Sequence, residues 1–311
     1  MDNDSTAALI RDDRIVFGAA EERFSRIKQH AGFPHKSVEY ILKQANLSLK
    51  DIDMVTYPFY SWHKETFMVC NGFLENNFYN LFQKDQLKSK YRHFTYYARF
   101  CKCAFEAHKK YNNELMQNLK KLGIDKKLKR VEHHLAHAAA AFYTSGFQKA
   151  MIITLDAYGS GLAGSVSIGS AKGIKRICSI KYPHSLGLFY AQVTEALGFK
   201  PTRHEGKIVG LAAYGNSNIL FEEVYRRFKE VNSSYRYICG LDMEYCKDLA
   251  KRFRREDISA AYQTVLEKVV TNMIAEYAKK YQEKNIVLAG GVTANVKMNQ
   301  KIGRASCRER V

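Results

Sequence analysis

The stretch AMIITLDAYGSG, residues 150–161, decides the fold of this 311-residue chain. Its first half is a continuous apolar run of strand length, which is typical of a strand buried on both faces. The run ends at Asp156, and a glycine-rich turn follows. A second apolar run, IVLA at 286–289, ends at a glycine pair and is preceded by a long amphipathic pattern over 258–281. Strands that alternate with helices and end at glycine turns predict an α/β domain.

The segments on either side of residues 150–161 fit the same pattern. Periodicity and turn residues predict further strands over 7–10, 14–19, 54–57, 164–168 and 174–180. They predict helices over 34–43, 134–143 and 186–197. The cluster RHEGK at 203–207 is predicted to be a loop.

Composition places the chain among globular proteins, because 46% of its residues are hydrophobic and 13% are aromatic. The sequence contains no run of about 18 apolar residues, the length that a membrane-spanning helix needs, so we expect no membrane partner. The polar, acidic start lacks the features of a signal peptide. Seven cysteines at irregular spacing form no disulfide framework. We therefore expect a cytoplasmic protein with reduced thiols.

Half of the net charge of +18 lies in one segment. Residues 61–130 contain 15 Lys and Arg against six Asp and Glu, mixed with many aromatic residues. We interpret this segment as a basic, solvated helical insertion. A surface for an anionic substrate or a protein partner is the alternative. We do not expect nucleic acid as a partner.

His133, His137 and Asp156 form a candidate metal site. Histidines four residues apart on a helix lie on one face, so both imidazoles can reach one ion. Asp156 follows an apolar strand, where α/β sheets place their ligands. Two histidines and a carboxylate suit Fe(II) or another divalent first-row metal. A surface or core pair of histidines is the structural alternative.

Two glycine-rich segments are candidates for binding a nucleotide. Gly159, Ser160 and Gly161 follow a strand, and glycines there let backbone amides approach phosphate oxygens. A plain hairpin turn would use the same residues. Gly290 and Gly291 would similarly allow a nucleotide to lie against the main chain.

Two polar side chains extend this set. Asn295 either contacts a ligand or caps the following helix. Lys207, within the cluster at 203–207, is a candidate for binding an anionic oxygen, with a solvated run of charges as the alternative.

The last ten residues, IGRASCRERV at 302–311, match one reading frame of a common sequencing adapter, with a genuine Arg-rich tail as the alternative. We therefore expect native sequence to end near Gln300.

Six blocks together resemble the carbamoyltransferase family of nodulation-factor and antibiotic biosynthesis, and they occur in that family's order. They are EERFSRIK with a following FP (21–28 and 33–34), HHLAHAAAAFYTSGF (133–147), TLDAYGSG (154–161), SLGLFYAQVTEALGFKP (185–201), GKIVGLAAYG (206–215) and LAGGVTANVKMNQ (288–300).

The resemblance implies an actin/Hsp70-like ATPase fold over residues 1–300, with the basic helical insertion at about 61–130. It also implies a YrdC-like domain after this chain, which would therefore be a fragment. Family members have a histidine near the position of Asn3, so we expect the start to be incomplete as well.

The activity implied by the resemblance is ATP-dependent O-carbamoyl transfer. Carbamoyl phosphate and ATP would give carbamoyladenylate, and the carbamoyl group would pass to a hydroxyl of a small-molecule, sugar-containing acceptor. In the family the HxxxH pair and the strand-end aspartate hold the metal, here His133, His137 and Asp156. Lys28 matches an active-site lysine of the family and is the candidate catalytic residue. A tRNA threonylcarbamoyl transferase-like enzyme, or a non-catalytic homologue that binds a nucleotide or a partner, is the alternative.

Overall fold

The computed structural model describes residues 4–81, 90–231, 233–237 and 243–308. Asn3 and the end of the predicted adapter segment, 309–311, lie outside these described residues. The chain divides into two compact units. The first comprises Met1–Cys70 and Leu87–Val131, and the second comprises Asn71–Gln86 and Glu132–Val311.

The first unit holds two small sheets, a long basic helix and the first part of a second long helix. Its strands are β1 (Thr6–Arg11), β2 (Arg14–Ala20), β3 (Val55–Tyr57) and β4 (Leu128–Arg130). The helices that begin before residue 131 are α1 (Glu22–Ser25), α2 (His35–Gln44), α3 (Trp62–Leu81) and α4 (Lys90–Lys121). The two predicted strands β1 and β2 pair as an antiparallel hairpin, whereas β3 and β4 pair in parallel.

The core of the first unit includes the end of the predicted insertion. Phe33, Leu115, Leu119 and Ile124 are buried in one cluster, and β4 pairs with β3. The solvated interpretation is therefore wrong for the last part of residues 61–130. Helix α4 buries its apolar positions at Leu115 and Leu119 although its overall composition is basic.

The second unit contains a mixed sheet covered by helices. Its strands are β5 (Ala150–Gly159), β6 (Leu162–Ser170), β7 (Gly173–Lys181), β8 (Phe228–Val231), β9 (Ser234–Tyr237) and β10 (Ile286–Ala289). Its helices are α5 (His133–Thr144), α6 (Leu186–Ala196), α7 (Glu205–Leu211), α8 (Phe221–Tyr225), α9 (Met243–Arg252), α10 (Arg255–Tyr281) and α11 (Val296–Arg308). The strand order is β10-β5-β6-β7, with β10 parallel to β5 and the other neighbours antiparallel, while β8 and β9 form a separate hairpin.

Strand β5 is apolar on both faces because each face is covered. Met151 and Ile153 point into the large core shared with α6 and α10, whereas Ala150 and Ile152 pack with Ala138 of α5. Side chains alternate along a strand, so even-numbered residues of β5 face α5. The continuous apolar run is explained by this burial on two sides, and the mixed α/β class predicted from it is confirmed.

The predicted loop at 203–207 is partly wrong, because α7 begins at Glu205. Ile208 is fully buried in the core, and its packing holds a helical turn where the charged residues suggested a solvated loop. Among the described residues, no helix is both long enough and apolar enough to cross a membrane.

Candidate metal centre

Helix α5 presents its histidines from a capped N-terminus. Glu132 is the N-cap, and its carboxylate accepts hydrogen bonds from the backbone N–H groups of His134 and Leu135. These bonds satisfy two N–H groups that a helix start otherwise leaves without partners. His133 is the first residue of the helix, and His137 lies one turn later on the same face.

The structure brings His133, His137 and Asp156 together. Nε2 of His133 lies 3.2 Å from Oδ2 of Asp156, and Nε2 of His137 lies 3.1 Å from the same oxygen. One ligand atom of each residue lies within 4.8 Å of the others, and all three residues are half-buried. The sequence predicted this convergence from the helical spacing of the histidines and from the position of Asp156 after an apolar strand run.

Asp156 lies at an irregularity in β5. The residue is not at the end of the strand, as predicted, because β5 continues to Gly159. The pairing of β5 with β6 shifts between Leu155 and Gly159, and such bulges redirect side chains. Oδ1 of Asp156 accepts a hydrogen bond of 2.7 Å from the Ala157 amide, which leaves Oδ2 to the histidines.

The charge of Asp156 is held by its neighbours. Burial alone would raise the pKa of this carboxyl group, but hydrogen bonds from His133 and His137 outweigh it and hold the pKa well below its usual range. The carboxylate is therefore ionised at neutral pH and is an anionic donor for a cation.

Gly159, Ser160 and Gly161 form the tight turn between β5 and β6. Ser160 and Gly161 both have positive φ, at 49° and 76°, which is the backbone pattern of a two-residue hairpin turn. A Cβ on Gly159 would lie 1.9 Å from Cδ2 of His133, and the buried Ser160 hydroxyl accepts from the His133 amide at 3.2 Å. The hairpin alternative is thus observed and the turn supports His133. A contact with phosphate stays a prediction.

Gly290 and Gly291 lie beside Asp156. Gly290 has φ of +93°, and a Cβ there would lie 2.3 Å from the carbonyl oxygen of Leu155. A Cβ on Gly291 would lie 3.2 Å from Oδ1 of Asp156. The parallel pairing of β10 with β5 brings Gly290 and Gly291 close to Asp156, so this glycine pair is part of the candidate site.

Asn295 caps helix α11. Its Oδ1 accepts from the Met298 amide at 3.0 Å, and its side-chain amide makes two hydrogen bonds, of 3.0 and 2.9 Å, with the amide of Gln263. The capping interpretation is confirmed, and a ligand contact by Asn295 stays a prediction.

The two predicted lysines are both exposed. Lys207 lies on α7 with its Nζ 5.1 Å from the centre of the Phe199 ring. Lys28 follows α1 in the first unit. Their roles stay predictions.

Sequence reasoning missed the residues that hold α5 in place. The buried His134 is fixed by its Nδ1, 2.9 Å from the hydroxyl of Thr154, which in turn lies 2.8 Å from that of Ser165. Burial, followed by the charge of His133, lowers the pKa of His134 to about 4, so this ring is neutral. Arg176 of β7 forms an ion pair with Glu132.

Only some of the residues that hold α5 in place could have been identified from the sequence. A carboxylate directly before the histidine motif is consistent with a helix cap. Arg176 lies too far along the chain for any local pattern to reveal it.

The three converging residues fit a first-row metal ion. Bonds of about 2.0–2.2 Å in tetrahedral or octahedral geometry place neighbouring ligand atoms about 2.8–3.6 Å apart. The observed distances from Asp156 to the two histidines are 3.2 and 3.1 Å. Two nitrogens and one oxygen also leave coordination positions open for a substrate.

Comparison with known proteins gives a consistent result. The family model described as Carbamoyltransferase N-terminus matches residues 2–310. The chain is 29% identical to the nodulation protein NolNO of Sinorhizobium fredii, over 97% of this chain and 42% of that protein. It is 30% identical to an uncharacterised protein of Methanocaldococcus jannaschii, over 96% of this chain and 51% of that protein. The chain thus spans about half the length of these relatives.

Among solved structures, that of T. kodakarensis HypF aligns with 64% of this chain and 35% of its own, at 14% identity. The TM-score of 0.33 is too low to support a statement about fold.

Proposed function

Because the chain belongs to the carbamoyltransferase N-terminus family, we propose that the whole protein is an ATP-dependent O-carbamoyltransferase. Carbamoyl phosphate, water and ATP would give carbamoyladenylate, phosphate and pyrophosphate. The carbamoyl group would then pass to a hydroxyl of a small, sugar-containing acceptor, with release of AMP. The observation that carries this proposal is the convergence of His133, His137 and Asp156. An actin/Hsp70-like arrangement of the ATPase fold is part of the same proposal.

The metal would be held by Nε2 of His133, Nε2 of His137 and a carboxylate oxygen of Asp156. A bound Fe(II) or other divalent first-row ion supplies Lewis-acid polarisation of the carbamoyl oxygen. Asp156 keeps a negative charge at the site, and its bond to the Ala157 amide fixes its orientation.

The nucleotide would lie near the glycine pair at 290–291. Because they lack side chains, Gly290 and Gly291 pack closely against Leu155 and Asp156, which brings their main chain beside the candidate metal ligands. We propose that the turn at 159–161, Asn295 and Lys207 also bind the nucleotide. Lys28 would hold the anionic substrate or assist the acceptor.

The replacement His137→Ala tests this assignment, with His63→Ala as the matched control because His63 is an exposed histidine of the first unit. We expect the full-length wild type and His63→Ala to bind about one Fe(II) per chain and to release AMP from ATP only when carbamoyl phosphate and an acceptor are present. His137→Ala should lose both properties, since one of the three ligands is gone. Elemental analysis and chromatography of AMP measure them. Equal metal content in His137→Ala and wild type would refute the ligand assignment.

A further inference from the structure

We propose that Arg176 is a positioning residue for the metal ligands and acts through Glu132. The inference rests on the proposed function, because it assumes that His133, His137 and Asp156 bind a metal. Arg176 itself does not contact any of these three residues in the hydrogen bonds and ion pairs described above.

Glu132 links Arg176 to the start of α5. The residue is only 8% exposed, and its carboxylate binds the His134 amide at 3.0 Å and the Leu135 amide at 2.7 Å. Oε2 of the same carboxylate accepts from Nη2 of Arg176. The arginine therefore holds the group that holds the first turn of α5, and His133 is the first residue of that turn.

Arg176 also connects this helix start to the sheet that carries Asp156. It lies on β7 opposite Ser167 of β6, and β6 pairs with β5. The ion pair therefore joins α5 to the sheet that contains Asp156. Losing the guanidinium would leave the buried Glu132 carboxylate without its cationic partner. The carboxylate would then turn toward water, and the first turn of α5 would lose its cap.

The direction in which metal affinity changes when Arg176 is replaced distinguishes a positioning role from a purely electrostatic one. A positive charge near a cation site repels the cation, so removing Arg176 would strengthen metal binding if charge alone mattered. A positioning role predicts weaker metal binding, because a displaced cap moves His133 away from the place where it can bind the metal together with His137 and Asp156. Groups that orient metal ligands typically change metal affinity by about 10–100-fold when replaced.

The ion pair between Lys149 and Glu283 provides a matched control. Glu283 is 7% exposed, accepts from the Lys284 and Asn285 amides at 3.1 Å each, and lies 3.2 Å from Nζ of Lys149. It thus resembles Glu132 in burial and bonding. Lys149 precedes β5 at the end opposite Asp156.

Co(II) alone is the probe, added to the whole chain of each variant and followed by its visible absorption spectrum. We expect Arg176→Met to bind Co(II) about 10–100-fold more weakly than wild type, Arg176→Lys to recover part of the loss, and Lys149→Met to bind normally. The Co(II) spectrum of Arg176→Met should also change, since ligand geometry differs.

Three results would overturn the proposal. One is unchanged or tighter binding in Arg176→Met. Another is equal weakening in Lys149→Met, which would indicate a general loss of stability. If wild type itself bound no Co(II), the metal assignment of the proposed function would fail together with this inference, whereas the first two results leave that assignment intact.

Discussion

Replacing Gly159 by alanine would place a methyl carbon where the His133 ring now lies. The added Cβ would be 1.9 Å from Cδ2, 2.2 Å from Cγ and 2.7 Å from Nε2 of that ring. Carbon atoms in contact stay about 3.5–4.0 Å apart, so the ring must retreat by about 1.5 Å or more. The ring is the part that moves, because pairing with Leu162 holds Gly159 in the hairpin.

A displacement of this size is much larger than a metal site tolerates. Ligand distances are normally kept to within about 0.2 Å, so His133 would cease to be a ligand. We expect metal affinity to fall by more than about 100-fold, because loss of a ligand exceeds the usual effect of losing a supporting residue. The crowding itself should lower the free energy of unfolding of the metal-free protein by about 1–3 kcal/mol.

The assay combines Co(II) titration with urea unfolding in the presence of a chelator. Gly210→Ala is the control, because a Cβ there meets nothing within 4 Å and the residue lies within α7. Alanine should be neutral or slightly stabilising at that position. If Gly159→Ala bound Co(II) as wild type does, His133 would not be a ligand in the arrangement described, and the reasoning would be refuted.

Two further predictions concern other supports of the fold. The buried Glu21 carboxylate accepts from the amide and hydroxyl of Ser37. Burial raises the pKa of Glu21, but these bonds lower it below the usual value overall. Glu21→Gln should therefore lower the free energy of unfolding by about 1–3 kcal/mol at pH 7. Urea unfolding at several pH values should show this difference from wild type shrinking as the pH falls below about 4.3, because Glu21 is then protonated in the unfolded and, at lower pH, in the folded chain. A difference that does not depend on pH would contradict the prediction. Gly290→Ala should lower thermal stability and separate the glycine turn from Asp156, because residue 290 has a positive φ and the new Cβ would lie 2.3 Å from the carbonyl oxygen of Leu155. An unchanged melting temperature would count against that close approach.

The elements that the sequence predicted correctly are those whose pattern is local. The apolar run at 150–155 identifies β5 because burial on both faces excludes polar residues. The histidine spacing places His133 and His137 on one face of α5 whatever the helix packs against. The three candidate metal ligands could therefore be proposed from the sequence.

The parts that were missed depend on distant contacts. The irregular pairing that extends β5 beyond Asp156 is set jointly with β6, and Arg176 meets Glu132 from 44 positions away. The helical turn at Glu205 is held by burial of Ile208, although the neighbouring charges favour a solvated loop. In each case tertiary packing overrides the local preference.

The parallel pairing of β10 with β5 has a consequence for the order of folding. His137 and Asp156 are 19 positions apart, whereas the contact of Asn285 with Lys149 beside that pairing spans 136 positions. Closing the longer loop costs about 1.7 kcal/mol more in chain entropy, and contacts of long range form later. We therefore expect the histidines and Asp156 to come together within an early hairpin and helix, and the glycine turn to be added afterwards. During synthesis, the three candidate ligands would then meet before the last strand of the sheet leaves the ribosome.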